Sequence, residues 1–325
     1  MSPHALGIDL GGTQIRAGLV DGDGRVVRKV AVPTPAAEGP VAVLDAAASA
    51  VFALIGERSA AKIGRVGLCA PGPLDADNGL ALSIPTLPGF VDLPMAALLA
   101  QRIGCPVDLE NDGIAAVHGE WRFGAGRGVD NLVFVTLSTG VGGGVVCDGR
   151  IVRGRMGMAG HVGHITIIAD GARCPCGNLG CWEAYASGTA FTRRARERAA
   201  AVPSTRLHEG PIDARSIFAA AAGGDALAGE LVAEQADYVG IGLVNLLHAY
   251  SPERLVIGGG VSNGLDALMP GIRRRIDVSA MPPFRSVPIV RAELADDAGL
   301  VGVATLARAR LERGAALNPN QDEAT

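Results

Sequence analysis

The stretch LGIDLGGTQIRAGLVDGDGRVV (residues 6–27) carries the clearest structural pattern of the sequence. Apolar runs flank the turn at Gly11–Thr13, and a second turn rich in Gly and Asp follows, so this stretch predicts a β-hairpin that continues into a third strand. The stretch LVFVTLSTGVGGGVVCDGRIV (residues 132–152) repeats the order of strand, glycine turn, strand and Asp-Gly turn. We interpret the repeat as an internal duplication. The alternative is that two glycine-rich hairpins resemble each other by composition alone.

Length and composition indicate a two-domain α/β protein that binds small molecules. The chain has 325 residues, more than one core usually organises, and 48% are hydrophobic but only 4% aromatic, which predicts a large aliphatic core. Strand patterns alternate with helix patterns, as is typical of mixed or parallel sheets covered by helices. The formal net charge of -4 and the lack of a basic block argue against nucleic acid and anionic membranes as partners.

The order of predicted elements divides the chain into two domains. Helices are expected at 41–58, 94–103, 187–200, 213–222, 225–250, 264–277 and 298–313. The first domain would span residues 1–112, completed by the helix at 298–313, and the second, larger domain would span residues 113–297. The tail NPNQDEAT (residues 318–325) is expected to be disordered.

Neither a secretory signal nor a membrane span is expected. The first ten residues lack a cationic segment, and the longest uncharged apolar stretch (residues 132–147) is short and rich in Gly, Ser and Thr. We therefore expect a cytoplasmic protein.

Glycine turns after three strands are candidate phosphate-binding sites. At Gly11, Gly12 and Thr13 the backbone can turn with exposed N–H groups, and Asp9 can hold a hydrated Mg²⁺ beside it. The repeat supplies a second turn, and a third glycine cluster follows another strand; the residues are Ser138, Thr139, Gly140, Gly142, Gly143, Gly258, Gly259 and Gly260. Two facing hairpins could hold a nucleotide, whereas an ordinary turn is the alternative for each alone. A Rossmann site is excluded because neither hairpin shows GxGxxG opening a helix.

Asn111 and Asp112 stand where a predicted strand meets a predicted helix, in ENDGIAAVHGE (residues 110–120). Ligands of open α/β sheets bind at the carboxyl ends of strands, so a carboxylate here is well placed to accept a proton from a substrate hydroxyl. The alternative is that Asn111 or Asp112 only caps the helix. Glu120, further along the helix, is expected to be solvated.

Three clustered cysteines and a histidine predict a structural metal site. Cys174, Cys176 and Cys181 form CxCxxxxC on a loop of Pro and Gly, with His164 upstream, so the loop 164–181 carries a Cys₃His set that can close a tetrahedral zinc site. A disulfide is the alternative, but three cysteines leave one unpaired and a cytosolic setting opposes it. Four protein ligands would leave no open position for water, so the zinc is expected to be structural.

Together these motifs resemble the ROK family of sugar kinases, in the actin, hexokinase and Hsp70 superfamily, over almost the whole chain. The resemblance implies two RNase-H-like domains around a central cleft, ATP phosphates held by DLGGTQIR (residues 9–16) and STGVGGG (residues 138–144), and Gly258 to Gly260 bordering the adenosine. It further implies that Asp112 is the base for transfer of the γ-phosphoryl group of ATP to a sugar 6-hydroxyl, with Mg²⁺ neutralising charge. Residues that correspond to sugar-binding positions are Gly72, Thr86, Asn111, Asp112, His161, His164 and Glu183.

Two departures from the family pattern leave the sugar open. His161, in GHVGH (residues 160–164), stands where most ROK glucokinases carry Glu and bacterial N-acetylmannosamine kinases carry His, and Thr86 stands where the family usually has Asn. The segments APGPLD (residues 70–75) and VGIGLVNLLHAYSPERLVIGGGV (residues 239–261) resemble glucokinases instead. The expected substrate is therefore a hexose or N-acetylhexosamine, with N-acetylmannosamine favoured and glucose as the alternative. A non-catalytic sugar sensor is a third interpretation. The resemblance also implies a homodimer.

Overall fold

The fold is described by a computed structural model that covers residues 4–56 and 63–317. The predicted disordered tail, 318–325, lies outside these residues. The chain divides into two compact units. The first comprises Met1–Arg127, Ile151–Ala159 and Asp296–Thr325, and the second comprises Gly128–Arg150 and Gly160–Ala295. Each unit contains a five-stranded sheet of its own.

Strands and helices alternate along the described residues, as the sequence predicts. The strands are β1 (Ala5–Leu10), β2 (Gln14–Val20), β3 (Val26–Pro33), β4 (Val66–Ala70), β5 (Leu74–Asp75), β6 (Leu80–Ser83), β7 (Val91–Leu93), β8 (Val107–Asn111), β9 (Leu132–Leu137), β10 (Val141–Cys147), β11 (Arg150–Ile151), β12 (Arg254–Gly258) and β13 (Ile289–Arg291). The α-helices are α1 (Pro40–Ile55), α2 (Met95–Ile103), α3 (Asp112–Phe123), α4 (Glu183–Ala186), α5 (Gly188–Ala199), α6 (Ala214–Ala222), α7 (Ala226–Tyr250), α8 (Leu265–Ser279) and α9 (Ala298–Leu317). Within the described part of the chain, no helix alone has the length and apolar character to cross a membrane; α6 and α7 reach these limits only as a pair bent by 119°.

The sheet of the first unit is built outward from the stretch at residues 6–27. β1 pairs antiparallel with β2, and β2 pairs antiparallel with β3. On its other side β1 pairs parallel with β4, which pairs parallel with β8, so the order is β3-β2-β1-β4-β8. The carboxyl ends of β1, β4 and β8 therefore lie side by side at one edge of the sheet.

Alternation along β1 separates the two faces of this sheet. Leu6, Ile8 and Leu10 are fully buried in a core shared with α1 and α2. Gly7 points to the other face, where a Cβ would lie 2.5 Å from the Leu300 carbonyl oxygen of α9. The glycine therefore lets α9 lie directly on the strand.

The second unit repeats this strand order. β9 pairs antiparallel with β10 and parallel with β12, and β12 pairs parallel with β13. The resulting order, β11-β10-β9-β12-β13, corresponds strand by strand to that of the first unit. This correspondence supports the predicted duplication over a chance likeness of two hairpins.

The helix α3 belongs to the first unit, although the sequence-based boundary at residue 112 assigns it to the second domain. It packs along α9, and small residues bring the two backbones together. A Cβ at Gly119 of α3 would lie 2.4 Å from the Ala298 carbonyl oxygen, and one at Gly302 of α9 would lie 1.7 Å from the Ala115 carbonyl oxygen. The short segment Ile151–Ala159, which the sequence also assigned to the second domain, belongs to the first unit as well.

Replacing Gly302 with Ala is expected to destabilise the protein, although Ala is the better helix former. The added Cβ would meet the Ala115 carbonyl, so α3 and α9 would have to separate. Overpacking costs about 1–3 kcal/mol of unfolding free energy, and a rigid backbone obstacle favours the upper end. Denaturant unfolding measures the loss. Gly229→Ala on α7 is the matched control, because a Cβ there meets nothing within 4 Å and should raise stability. A Gly302→Ala variant as stable as the wild type would contradict the close packing.

Candidate active site

The first glycine turn is a rigid loop between β1 and β2. The Gly11 N–H donates to the Gln14 carbonyl at 3.0 Å. Thr34, which directly follows β3, donates its N–H to the Thr13 carbonyl at 3.0 Å and its hydroxyl to the Gly11 carbonyl at 2.7 Å. A Cβ at Gly12 would lie 3.0 Å from the Cβ of Thr86. The structure thus brings the predicted sugar residue Thr86 against the predicted phosphate turn.

Asp9 lies at the carboxyl end of β1, between two neighbours that sequence reasoning missed. Arg16, opposite it on β2, donates to its Oδ2 at 3.1 Å, and the thiol of Cys69 on β4 lies 3.6 Å from its Oδ1. Burial raises the pKa of Asp9, and the Arg16 guanidinium opposes that rise. Counting back from the turn would have paired Arg16 with Asp9, whereas no sequence signal pairs β1 with β4.

Asn111 caps the N-terminus of α3, which is the alternative role that the sequence pattern allows for Asn111 or Asp112. It is buried at the end of β8, and its side-chain oxygen accepts from the N–H groups of Gly113 at 3.0 Å and Ile114 at 3.3 Å. Ala70 pairs with Asn111 across the sheet, so Gly72, just beyond β4, follows the adjacent strand end. The cap fixes the point at which the chain leaves the sheet and enters the helix.

Asp112 is the first residue of α3, and its carboxylate has a raised pKa. Its Oδ1 accepts from the Gly113 N–H at 2.8 Å. The residue is exposed to solvent, although the protein atoms around the carboxylate displace part of its water. This desolvation, together with the charge of Asp9, raises the pKa of Asp112 to about 6. A carboxylate that titrates near neutrality can take up a proton and release it again.

The expectation for Glu120 is wrong. The residue is 0% exposed, and its Oε2 accepts from the Ala125 N–H at 2.8 Å. The chain turns back over the end of α3, so this carboxylate accepts a hydrogen bond from the backbone of the loop instead of facing water.

The second hairpin is anchored by α5. The Ser138 N–H donates to the Gly140 carbonyl at 2.9 Å and closes the turn between β9 and β10. The Gly188 N–H donates to the Ser138 carbonyl at 2.7 Å, and the Thr189 hydroxyl donates to the Thr139 carbonyl at 2.8 Å. The start of α5 and the hairpin are therefore held together.

Two further glycine positions of this sheet need the absence of a side chain. A Cβ at Gly143 on β10, next to Gly142, would lie 2.4 Å from the Phe134 carbonyl oxygen. Gly259 has a φ of 82°, and a Cβ there would lie 2.4 Å from the Leu137 carbonyl oxygen. Since β12 runs parallel to β9, the cluster Gly258 to Gly260 adjoins the second hairpin at one end of the sheet.

The predicted metal ligands converge. One ligand atom each from His164, Cys174, Cys176 and Cys181 lies within 4.8 Å of all the others. The Cys174 Sγ lies 3.7 Å from the His164 Nδ1, and the Cys176 and Cys181 Sγ atoms are 3.6 Å apart. A tetrahedral zinc with Zn–S bonds of about 2.3 Å places its ligands about 3.8 Å apart, so this donor set fits zinc. All these cysteines are free thiols, which argues against the disulfide alternative.

Glu183 lies between the cysteine cluster and the second hairpin. It begins α4, its Oε2 accepts from the Val141 N–H at 2.9 Å, and its Oε1 lies 3.8 Å from the Cys174 Sγ. The imidazole rings of His161 and His164 stack with centroids 6.2 Å apart. The second unit therefore gathers the hairpin, the Cys₃His cluster and the predicted sugar residues His161, His164 and Glu183.

The predicted site residues form two sets, one on each unit. The first unit holds Asp9, Gly11, Gly12, Thr13, Gly72, Thr86, Asn111 and Asp112, and the second holds Thr139, Gly140, Gly142, His161, His164, Cys174, Cys176, Cys181, Glu183, Gly258, Gly259 and Gly260. Each set lies around glycine turns that follow the strands of its own sheet.

The shared strand order of the two sheets defines an α/β protein with two RNase-H-like units, as in actin and hexokinase. The ROK family model matches residues 5–310. The chain belongs to the ROK family, so the predicted family and fold class are confirmed.

Kinases of two sugars are among its relatives. The glucokinase of Streptomyces coelicolor is 37% identical over 313 residues, which cover 93% of this chain and 97% of the glucokinase. The N-acetylmannosamine kinase of Salmonella typhimurium is 33% identical over 305 residues, which cover 93% of this chain and 98% of that kinase. A ROK family glucokinase from Streptomyces griseus, crystallised with glucose and AMPPNP, matches with a TM-score of 0.81 at 37% identity, covering 94% of this chain and 99% of that one.

Proposed function

We propose that the chain transfers the γ-phosphoryl group of ATP to the 6-hydroxyl of a hexose or N-acetylhexosamine. The observation that carries the proposal is the Asp112 carboxylate, whose pKa is raised to about 6 and which lies at the same sheet edge as Asp9. The glucokinase and N-acetylmannosamine kinase relatives support the reaction class. The AMPPNP in the Streptomyces griseus glucokinase structure supports ATP as the phosphoryl donor.

In the proposed reaction Asp112 is the general base. The sugar 6-hydroxyl gives its proton to the Asp112 carboxylate while its oxygen forms a bond to the γ-phosphorus. The bond from that phosphorus to the β,γ-bridging oxygen breaks, and ADP leaves with the electron pair. Little covalent chemistry is left to the protein beyond this proton transfer, so positioning and charge neutralisation supply the rest.

The glycine turns are the proposed nucleotide site. Gly12 and Thr13 of the first turn, and the hairpin with Thr139, Gly140 and Gly142, offer backbone N–H groups to the phosphates. Gly11, whose own N–H donates to the Gln14 carbonyl, closes the first turn beside them. Gly258 to Gly260 offer a surface without side chains to the adenosine. Asp9 would hold Mg²⁺, because one carboxylate together with substrate phosphates suffices for this ion. Arg16, already paired with Asp9, would keep that carboxylate oriented.

The sugar is proposed to contact Gly72, Thr86, Asn111, His161, His164 and Glu183. Zinc, held by His164 and the three cysteines of the Cys₃His cluster, would fix the loop in place and leave no open coordination position. The cluster's Cys174 lies beside Glu183, so the metal loop would orient two of the sugar residues at once.

The identity of the sugar depends on His161. N-acetylmannosamine is favoured because bacterial N-acetylmannosamine kinases resemble this chain in carrying His there, whereas most ROK glucokinases carry Glu. The two side chains differ in charge and in acceptor capacity toward the hydroxyls or the acetamido group of the sugar. Glucose is the alternative, supported by the glucokinase relatives. The homodimer and the cytoplasmic location stay predictions.

Steady-state kinetics on glucose, N-acetylglucosamine and N-acetylmannosamine test the proposal. With ATP and Mg²⁺, ADP release is expected to depend on sugar, with the highest kcat/KM for N-acetylmannosamine. A sugar sensor would instead give a sugar-dependent rise in Tm without ADP release. That result would contradict the proposed function.

The reaction is expected to lose rate in acid. Because desolvation by the surrounding protein and the charge of Asp9 raise the pKa of Asp112 to about 6, the carboxylate is protonated below that pH and cannot accept a proton from the sugar. The kcat/KM for the sugar should therefore rise tenfold per pH unit at low pH and level off above about pH 6. A profile measured from pH 5 to 8 at limiting Mg²⁺ checks this, because Mg²⁺ bound at Asp9 would cancel the charge that helps to raise the pKa of Asp112. A flat profile over that range would argue against Asp112 as the titrating base.

A further inference from the structure

Glu110 is a buried carboxylate directly before Asn111 and the proposed base Asp112. It lies at the end of β8, and its side chain is only 2% exposed. Its Oε1 accepts from the Asn111 N–H at 3.2 Å, and its Oε2 accepts from the Arg153 Nε at 2.9 Å. Arg310 of α9 adds a longer contact to Oε2 at 3.5 Å. Glu110 thus connects a cation to the backbone that carries Asn111 and Asp112.

Arg153 lies in a short segment that belongs to a different unit from the residues on either side of it. Residues Ile151–Ala159 belong to the first unit, whereas the residues before and after them belong to the second. Within the segment the Ala159 N–H donates to the Arg153 carbonyl at 2.9 Å. The Arg153 side chain leaves the segment and donates from its Nη1 to Asp77 at 2.9 Å. The Ala76 N–H donates to the Met156 carbonyl at 2.9 Å, which docks the segment further. His161 follows this docked segment by two residues.

We propose that Arg153 is a positioning residue for the phosphoryl transfer: its ion pair with Glu110 holds the Asn111–Asp112 turn. The inference rests on the proposed function. Arg153 and Glu110 would act through the Asn111–Asp112 turn and not on the substrates themselves.

The burial of Glu110 explains why the pair would control geometry. A carboxylate out of water needs a cation and hydrogen-bond donors, and Arg153 is the nearer of its two arginines. Without Arg153, the carboxylate would turn toward Arg310 or water and release the Asn111 N–H. A shift of about 1 Å in a positioned group can cost about 100-fold in rate.

Three variants of the full chain test the proposal, with a surface pair as the control. Arg153→Met removes the cation at similar length, Arg153→Lys keeps a charge, and Glu110→Gln combined with Arg153→Met removes both charges. Arg102→Met breaks the ion pair between Arg102 and Asp45, in which Asp45 is 60% exposed, and should leave kinetics unchanged. The readouts are kcat, the KM values for sugar and ATP, and Tm.

The expected result is a kcat lowered about 10- to 100-fold in Arg153→Met, with a raised sugar KM and an unchanged ATP KM. Arg153→Lys should recover part of kcat. The double variant should recover Tm, because the buried charge of Glu110 is gone. It should not recover kcat, because the contact between residues 110 and 153 is still missing. Recovery of both kcat and Tm in the double variant, or a wild-type kcat in Arg153→Met, would overturn the positioning role of Arg153. Either result would leave the proposed kinase function unaffected. A wild-type protein that phosphorylates no sugar would overturn the proposed function, and this inference with it.

Discussion

Asp112→Asn is expected to lower kcat for sugar phosphorylation by about 10²- to 10⁴-fold, the contribution of a positioned general base. The amide has nearly the same shape and can still accept from the Gly113 N–H, so α3 should begin as before. Sugar affinity should change little, because the lost function is proton acceptance. Rapid-quench turnover and calorimetric sugar binding measure the two quantities separately.

The matched control for this variant is Asp23→Asn, an exposed carboxylate in the Gly and Asp turn after β2. It removes the same charge from the same unit, and its kcat should equal that of the wild type. Near-normal turnover of Asp112→Asn would refute the assignment of the base, even if every other part of the site proved correct.

The second large effect is expected from Cys176→Ser. Cys176 is the exposed member of the Cys₃His cluster, so serine removes a thiolate ligand without opening a cavity in the core. Bound zinc should fall from about one ion per chain to a small fraction of that, because zinc strongly prefers thiolate to hydroxyl. The sugar KM should rise about 10-fold, since the freed loop no longer holds His164 and Glu183.

Metal analysis of the purified chain, together with Tm, measures the loss of zinc independently of activity. Cys147→Ser is the matched control, because Cys147 is a half-buried free thiol at the end of β10, outside the cluster. It should keep zinc, Tm and sugar KM. Unchanged zinc content in Cys176→Ser would mean that the cluster is not the metal site.

Local patterns predicted the elements of this fold well. The strand, turn and strand order of residues 6–27 became β1 to β3, because period-two burial and glycine turns are short-range signals. The repeat at residues 132–152 further predicted that a second sheet would follow the same plan, and the two strand orders agree. Helix ends marked by Gly or Asp, such as those of α2 and α6, fell within one or two residues of expectation.

Long-range packing limited the prediction elsewhere. The boundary at residue 112 follows a change of pattern from strand to helix, but α3 stays with the first unit because Gly302 and Gly119 let it approach α9. Nothing local marks Ile151–Ala159 as part of that unit either, since the segment is held there by Arg153 and its distant carboxylate partners. Glu120 has the sequence of an exposed helix residue and is buried only because the chain folds back over it.

The candidate site shows the same division. Glycine turns, the Asn-Asp pair and the cysteine spacing can be recognised from residue types, because phosphate, proton transfer and zinc each demand particular chemistry. Arg16 could be paired with Asp9 by counting across the hairpin, but the supporting residues Cys69, Glu110 and Arg153 have no such signature. Their roles come from which strands and segments lie side by side, which a single sequence does not encode at short range.

Phosphorus-31 NMR of the complete reaction shows directly whether the chain transfers phosphate from ATP to a sugar. Wild-type protein with ATP, Mg²⁺ and N-acetylmannosamine or glucose should produce ADP and a sugar phosphate monoester in equal amounts, and neither should form when the sugar is left out. If no hexose or N-acetylhexosamine yields a phosphate ester, or if inorganic phosphate appears in its place, the chain does not phosphorylate sugars and the account is contradicted.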